Sequence, residues 1–323
     1  MIRSFSYSRE TKRMETPGIS ELPRHIADRG RMLWVDLEDP SDEETGVLGG
    51  IFGFHVLSVE DCMRERQLPR LNQYDNYTFL IVHGLDAKRG DTPVPLLTQQ
   101  VAVFIGENYV VSYHRRHVNG IFDTRGGVAK NPGSLLRTPD WLLHGILEAL
   151  TEDFEPAVGY LEDGLRSLQS QLLSRAVADL SEPVSRSKGQ IDHLLRITGL
   201  HLDVLRLLDA PERRLISDEN RAYFRSIYDR TVSIQQRAEQ SLQSLSTAVE
   251  AHRILVSGRT QGAEVVTAAV CSITLPLLLV VAYYGIVRAA PGTGWGNADF
   301  TFLGIAVLAV ASVLFAFKRK KWL

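Results

Sequence analysis

The chain has 323 residues, 44% of them hydrophobic and 23% charged, with a formal net charge of −2. That length is enough for two or three domains and a sizeable core, and the charge gives no reason to expect a nucleic-acid partner. No P-loop, zinc-ligand helix, nucleophile elbow or dinucleotide-binding glycine pattern occurs, so neither an enzyme nor ATP-driven transport is expected.

The polar start MIRSFSYSRE has no apolar core of a signal peptide. MLWVDL and YTFLIVHGL read as strands, and QQVAVFIGENYVVSYH reads as a hairpin turning at Gly106, Glu107 and Asn108. Ser41 and Glu44 have capping-box spacing for a helix between the first strands. The acids of DLEDPSDEE suit a helix start, where they favour the macrodipole, and this explains them better than a metal site. Cys62 and Cys271 match no metal-ligand or redox spacing, which points to a reducing compartment.

Thr138, Pro139 and Asp140 mark a helix start before WLLHGILEAL. LEDGLRSLQSQLL and KGQIDHLLRITGLHLDVLRLLD continue the helical period, so 139–209 reads as a series of shorter helices broken at DAPERR. His193 and His201, eight apart, are read as residues of this bundle rather than as a cluster. From 219 to 257 there is neither proline nor glycine, and Ile227, Ile234, Leu242, Leu245 and Val249 recur at mostly helical spacing. An unbroken helix from there through RTQGAEVV would be a rod of about 69 residues and near 100 Å, with Gly258 and Gly262 as its weak points. So narrow an apolar stripe needs neighbours, and bundling with copies of itself is the expected remedy.

Charge is then lost abruptly. Residues 265–287 form an uncharged run of 23, and 300–317 one of 18, each of a length to cross a bilayer core of roughly 30 Å as helix. Lys318, Arg319, Lys320 and Lys321 follow the second run, Arg253 and Arg259 precede the first, and the connecting loop has only Arg288 as a basic residue. The asymmetry places both termini in the cytoplasm, with the loop and its interfacial Trp295 outside. Gln261, Glu264, Thr267, Cys271, Thr274 and Leu278 step by three or four and share one helical face. Beside them Leu275, Leu278 and Leu279 form an apolar stretch suited to gating by dewetting. Small polar residues there also let helices pack, and Glu264 also suits an interfacial ion pair. Pro276 removes one internal hydrogen bond, and Gly285 allows close packing or a helix end.

WVDLEDPSDEE, FGFHVLSVEDC, QLPRLNQYDNYTFLIV, QQVAVFIGENYVVSYHRR, TPDWLLHGILEAL, LPLLLVVAYYG and FKRKKWL, in this order over about 300 residues, resemble the CorA superfamily of divalent-cation channels and transporters. The resemblance implies an α+β/α membrane protein: an N-terminal α/β cytoplasmic funnel domain, a long stalk helix and two C-terminal transmembrane helices, assembled as a homopentamer in a bacterial-type inner membrane. The boundaries expected are 1–138 for the α/β domain, 139–218 for a helical region and 219–262 for the stalk. The first, pore-lining span follows at 263–287, the extracytoplasmic loop at 288–299, the second span at 300–317 and a basic tail at 318–323. The implied partners are further copies of the chain, the lipid bilayer and metal cations. No cofactor is implied beyond a divalent cation such as Mg2+ as permeant or regulator.

In the superfamily the first span ends in Tyr-Gly-Met-Asn, and the asparagine ring meets a hydrated cation at the mouth. Tyr284 and Gly285 match, but Ile286 and Val287 stand in place of methionine and asparagine. Valine offers ion-bound water neither a carbonyl acceptor nor amide donors, so the family's selectivity is not carried over. Arg288 at the mouth would repel divalent ions over roughly 8 Å in physiological salt. Within the superfamily the chain is similar to the divergent CmaX group more than to the zinc-transporting ZntB branch. Glu250 lies where family stalks carry acids that sense cytoplasmic divalent ions, although a solvated helix-face carboxylate is the simpler account of it. Three functions remain open: a passive cation channel with altered selectivity, a weakly selective channel opened by membrane tension, and a non-conducting sensor or scaffold.

Overall fold

The computed structural model describes residues 1–65, 67–85, 98–174, 180–210 and 215–288, together with Gly304, Leu308, Ala311 and Ser312; from 255 onward only some side chains are described. The chain divides into two compact units, one of Met1–Gln171 with Asp179–Thr247, the other of Leu172–Ala178 with Ala248–Leu323.

In the first unit, β1 (Ile2–Ser8), β2 (Met14–Glu15), β3 (Arg31–Glu38), β4 (Arg70–Gln73), β5 (Thr78–Leu85), β6 (Thr98–Ile105) and β7 (Tyr109–His114) form one sheet in the order β2-β1-β3-β7-β6-β5-β4. Neighbours are antiparallel except β3 and β7, which run parallel. The short helices are α1 (Leu22–Ala27), α2 (Asp42–Gly50), α3 (Val56–Met63), α4 (Asn119–Lys130) and α5 (Pro132–Leu135), followed by the long α6 (Pro139–Ser174), α7 (Ser181–Leu208) and α8 (Asp218–Arg288).

Helices cover both faces of the sheet, which is why β5 and β7 are buried at every position and read as continuous apolar runs. Strand alternation divides the side chains between two cores. Met32, Trp34, Leu80, Val82 and Val103 meet Ile121 of α4, Ile146 of α6, Leu205 of α7 and Ile227 of α8. Leu33, Val35, Phe79, Ile81 and Phe104 meet Leu22 of α1, Leu48 of α2 and Cys62 of α3 on the other face.

The strands expected at MLWVDL and YTFLIVHGL are β3 and β5, and the expected hairpin is β6–β7, closed by the Gly106 amide donating to the Tyr109 carbonyl at 2.9 Å. The capping box is present: Ser41 Oγ accepts the Glu44 amide at 3.2 Å, and Glu44 Oε2 accepts the Ser41 amide at 3.0 Å. β1 was not foreseen, because its residues are mostly half-buried and polar, and its strand character comes from pairing with β3. The helices of 139–209 are longer than the sequence suggested, since α6 runs 36 residues with Pro156 in its interior. α8 passes Gly258 and Gly262 without a break. Of its expected stripe, Ile227, Ile234 and Leu245 are buried, while Leu242 and Val249 are partly so.

α4 is held close against α6. A methyl group built on Gly120 would lie 2.8 Å from the Leu150 amide nitrogen and 2.9 Å from the Ala149 carbonyl carbon. These are backbone atoms that no rotamer change can move. Gly120→Ala is therefore expected to cost about 1–3 kcal/mol of stability, as overpacking of a tight contact does. Thermal unfolding compared with Gly126→Ala, where a methyl group meets nothing within 4 Å, checks this.

At the β3–β7 seam the sheet buries a charged network. Asp36, fully buried, accepts from Ser112 Oγ at 2.6 Å and from Arg125 Nη1 at 3.0 Å; the same Ser112 hydroxyl accepts the Trp34 indole N–H at 3.0 Å. Arg125 also donates to Glu38 Oε2 at 2.8 Å, and Arg3 pairs with the same oxygen. Burial would raise the Glu38 carboxyl, but hydrogen bonds from Arg125 and Arg3 outweigh it and hold the group at about 2. Burial likewise opposes charge on His114, yet the adjacent Asp36 carboxylate, 3.3 Å away, lifts its pKa above the ordinary value.

Candidate pore helix

The pore residues expected from the sequence all lie on α8. Thr267, Cys271, Thr274, Leu275, Leu278 and Gly285 are exposed along it. At 3.6 residues per turn, Thr267, Cys271, Thr274, Leu278 and Gly285 fall within about 60° of one another. The structure thus keeps these residues on one outward face. Gln261, Glu264, Tyr284, Ile286, Val287 and Arg288 are helical in backbone, and their side chains lie outside the described residues. Glu250 is exposed on the same helix. Among the described residues of one chain, no three His, Cys, Asp or Glu side chains converge as a metal site.

Around this part of α8, Val270, Leu275, Leu278, Leu279 and Val281 are each more than half exposed, and aliphatic surface exposed to this extent marks contact with lipid or with other protein. Among the described residues no helix is long and apolar enough to cross a membrane. Most side chains of 265–287 lie outside that description, and of 300–317 only Gly304, Leu308, Ala311 and Ser312 are described, each helical. The loop 288–299, after Arg288, and the basic tail 318–323 lie outside the described residues.

Two features around residue 275 of α8 depart from the regular helical hydrogen-bond ladder. Thr274 Oγ1 donates to the Val270 carbonyl four residues back at 2.5 Å, a back-bond that competes with the helical ladder. Two residues later Pro276 has no N–H to give. Below this region, His252 Nδ1 donates to the Leu172 carbonyl at 2.7 Å, tying α8 to the end of α6 within the second unit. A carbonyl only accepts, so the proton is on Nδ1.

His193 and His201, eight apart in sequence, are connected in the fold through His83 and Thr98. His201 Nε2 accepts the His83 backbone N–H at 2.9 Å, and His193 Nε2 and His83 Nδ1 meet the Thr98 hydroxyl at 2.9 and 3.0 Å. Burial pushes the His201 imidazole down to about 3, keeping it neutral and able to accept. Arg64, Arg115, Arg116 and Arg196, which no sequence motif singles out, line one cavity. Only the Arg115-Arg116 pair is contiguous in sequence, and that doublet was the available signal.

The sequence profile of the CorA-like Mg2+ transporter proteins matches residues 29–319. The YfjQ protein of Bacillus subtilis is 29% identical over 294 residues, covering 90% of this chain and 89% of that one. The cobalt/magnesium transport protein CorA of Thermotoga maritima is 25% identical over 280 residues, 85% of this chain and 79% of its own. The complete structure of the CorA magnesium transporter of Methanocaldococcus jannaschii superposes with a TM-score of 0.76 at 17% identity, over 100% of this chain and 99% of that one. The full-length CmaX structure superposes with 0.77 at 15% identity, over 99% and 97%. The α/β domain and long helices are therefore the CorA fold, and the profile match extends over nearly the whole sequence. The chain belongs to the CorA-like Mg2+ transporter family, whose members are ion transporters and channels rather than enzymes.

Proposed function

We propose that the chain is the protomer of a homopentameric inner-membrane channel that passes metal cations passively down their electrochemical gradient, with selectivity weakened at the mouth. The observation that carries this reading is the exposed face of α8 from Thr267 to Gly285, small and polar at its start and aliphatic beyond. In this reading 263–287 and 300–317 are the two spans, and both termini are cytoplasmic. Five copies stack Gln261, Glu264, Thr267, Cys271 and Thr274 as rings leading to a constriction at Leu275 and Leu278. Tyr284, Gly285, Ile286, Val287 and Arg288 form the mouth. Glu250 is the regulatory metal ligand of the stalk, and completing that site needs carboxylates from a neighbouring copy. The name of the Thermotoga relative, a cobalt/magnesium transport protein, supports divalent ions as the cargo.

Proteoliposomes carrying the full chain are expected to pass Mg2+ under a gradient at a rate that rises with inside-negative voltage. Absence of flux under divalent gradients, voltage and membrane tension together would reject conduction and leave the scaffold reading.

A second reading is favoured by Val287 and Arg288, which remove an ion-water ligand and add a ring of positive charge. It makes the pore a weakly selective one opened by membrane tension. Patch recording separates the two readings: steep divalent preference without suction rejects the second.

A further inference from the structure

A concave site lies in the first unit, between α7, the end of α3 and the strands β5 to β7. Its volume is about 560 Å3, within the range of small-molecule sites. Among the described residues four arginines line it, Arg64, Arg115, Arg116 and Arg196, against one carboxylate, Glu65. Arg64 is partly satisfied by Glu60 at 3.3 Å. Among the described residues no carboxylate pairs with Arg115, Arg116 or Arg196. Such a concentration of one sign is unusual in a chain whose net charge is −2.

The wall that carries Arg196 is fixed from behind. His83 Nε2 donates to the Gln67 carbonyl at 2.7 Å, which leaves Nδ1 of the neutral ring to accept the Thr98 hydroxyl, and that hydroxyl in turn accepts from His193 Nε2. His193 sits one helical turn before Arg196, so this chain of bonds anchors α7 to the sheet. Convergent guanidinium groups in a cleft with low-dielectric walls focus positive potential and match phosphate oxygens in a bidentate geometry. Leu68 and Ile197 add an apolar flank to the same cavity, which suits an organic moiety beside the charged one.

We propose that this cavity binds an organic polyphosphate of nucleotide size, its phosphates on Arg115, Arg116 and Arg196 and its apolar part toward Leu68 and Ile197. The site is built from residues of the first unit alone. A monoanionic carboxylate would leave most of the arginine charge unanswered, whereas a chain of phosphates neutralises it. The ligand would touch α7 and the sheet together, so its binding reports on the packing between them.

The test is isothermal titration of the full chain in detergent with ATP, inorganic tripolyphosphate and sulfate, each without and with Mg2+. Saturable binding of ATP is expected, tighter than tripolyphosphate and far tighter than sulfate. Arg115→Gln with Arg196→Gln should weaken ATP about tenfold or more, since each removes a charge-assisted pair, while leaving the ligand-free melting temperature unchanged. Arg196→Lys keeps the charge but loses the planar fork, and should lose several-fold. If the double variant does not fold, Arg196→Gln alone, on the exposed side of α7, carries the same comparison. No saturable ATP binding, sulfate as tight as ATP, tripolyphosphate as tight as ATP, or ATP binding unchanged in the glutamine variants would each overturn the proposal.

Discussion

Ile286→Met combined with Val287→Asn is expected to raise the Mg2+ over Na+ permeability ratio of the reconstituted channel about tenfold, equivalent to about 1.4 kcal/mol of added discrimination. The effect comes from position 287. Valine presents only methyl groups to the water shell of an approaching cation, whereas asparagine offers a carbonyl to the water hydrogens and an amide to the water oxygens. Multiplied around a ring, that difference lets a strongly hydrated divalent ion keep its shell at the mouth. Reversal potentials under bi-ionic conditions measure the ratio directly. Val287→Asn alone should supply most of the change. Arg288→Gln should add an increment that shrinks as ionic strength rises, because repulsion by exposed charge is screened over a Debye length. A double variant with the original ratio would mean that selectivity is set elsewhere along α8, and the rings at Thr267 and Thr274 would be next.

Arg125→Met is expected to lower the unfolding free energy by about 3–5 kcal/mol, the cost of leaving a buried carboxylate without its cation. Asp36 is wholly buried and keeps only Ser112 and His114 once Arg125 is gone. Glu38 loses one of its two arginines. Arg125→Met paired with Asp36→Asn should regain most of the loss, since an asparagine still accepts from Ser112 and no longer needs a counter-charge. Thermal unfolding of the two single variants and the double closes the cycle. The same network sets an acid limit. Glu38 titrates near 2 in the folded chain against an ordinary 4.5, so its contribution is complete above about 4.5 and is lost as pH falls toward 2. His114 acts in the opposite sense: its raised pKa stabilises at low pH and stops doing so as pH climbs through it. Glu38→Gln should therefore lower stability on the neutral side, where the contribution is complete, and flatten the acid limb of the profile.

What the sequence disclosed follows from how local each signal is. β3, β5 and the β6–β7 hairpin were legible because both faces are buried and their residues form apolar runs ended by polar turns. The capping box at Ser41 was legible because donor and acceptor sit three residues apart. β1 was not, because its polar residues acquire strand geometry from a partner some 30 positions away. The Asp36–Arg125 pair, 89 residues apart, and the His83–His201 bond, 118 apart, have no local signature at all. For the candidate pore, spacing placed Thr267, Cys271, Thr274 and Leu278 on one face of a helix, and on α8 their side chains are exposed. Which ion they meet depends on copies of the chain around an axis, and a single sequence has no signal for that arrangement.

The parallel β3–β7 seam has a consequence for synthesis. β3 leaves the ribosome with β1 already beside it, but its other edge waits for β7, which begins at Tyr109. At roughly 5–20 residues per second the intervening chain takes several seconds to emerge. Throughout that time Met32, Leu33, Trp34, Val35 and Leu37, all fully buried in the finished protein, lie along an open strand edge of the kind that recruits other chains. The nascent polypeptide is thus at greatest risk of aggregation well before either apolar C-terminal segment is made, and a chaperone that shields it must act on the first forty residues.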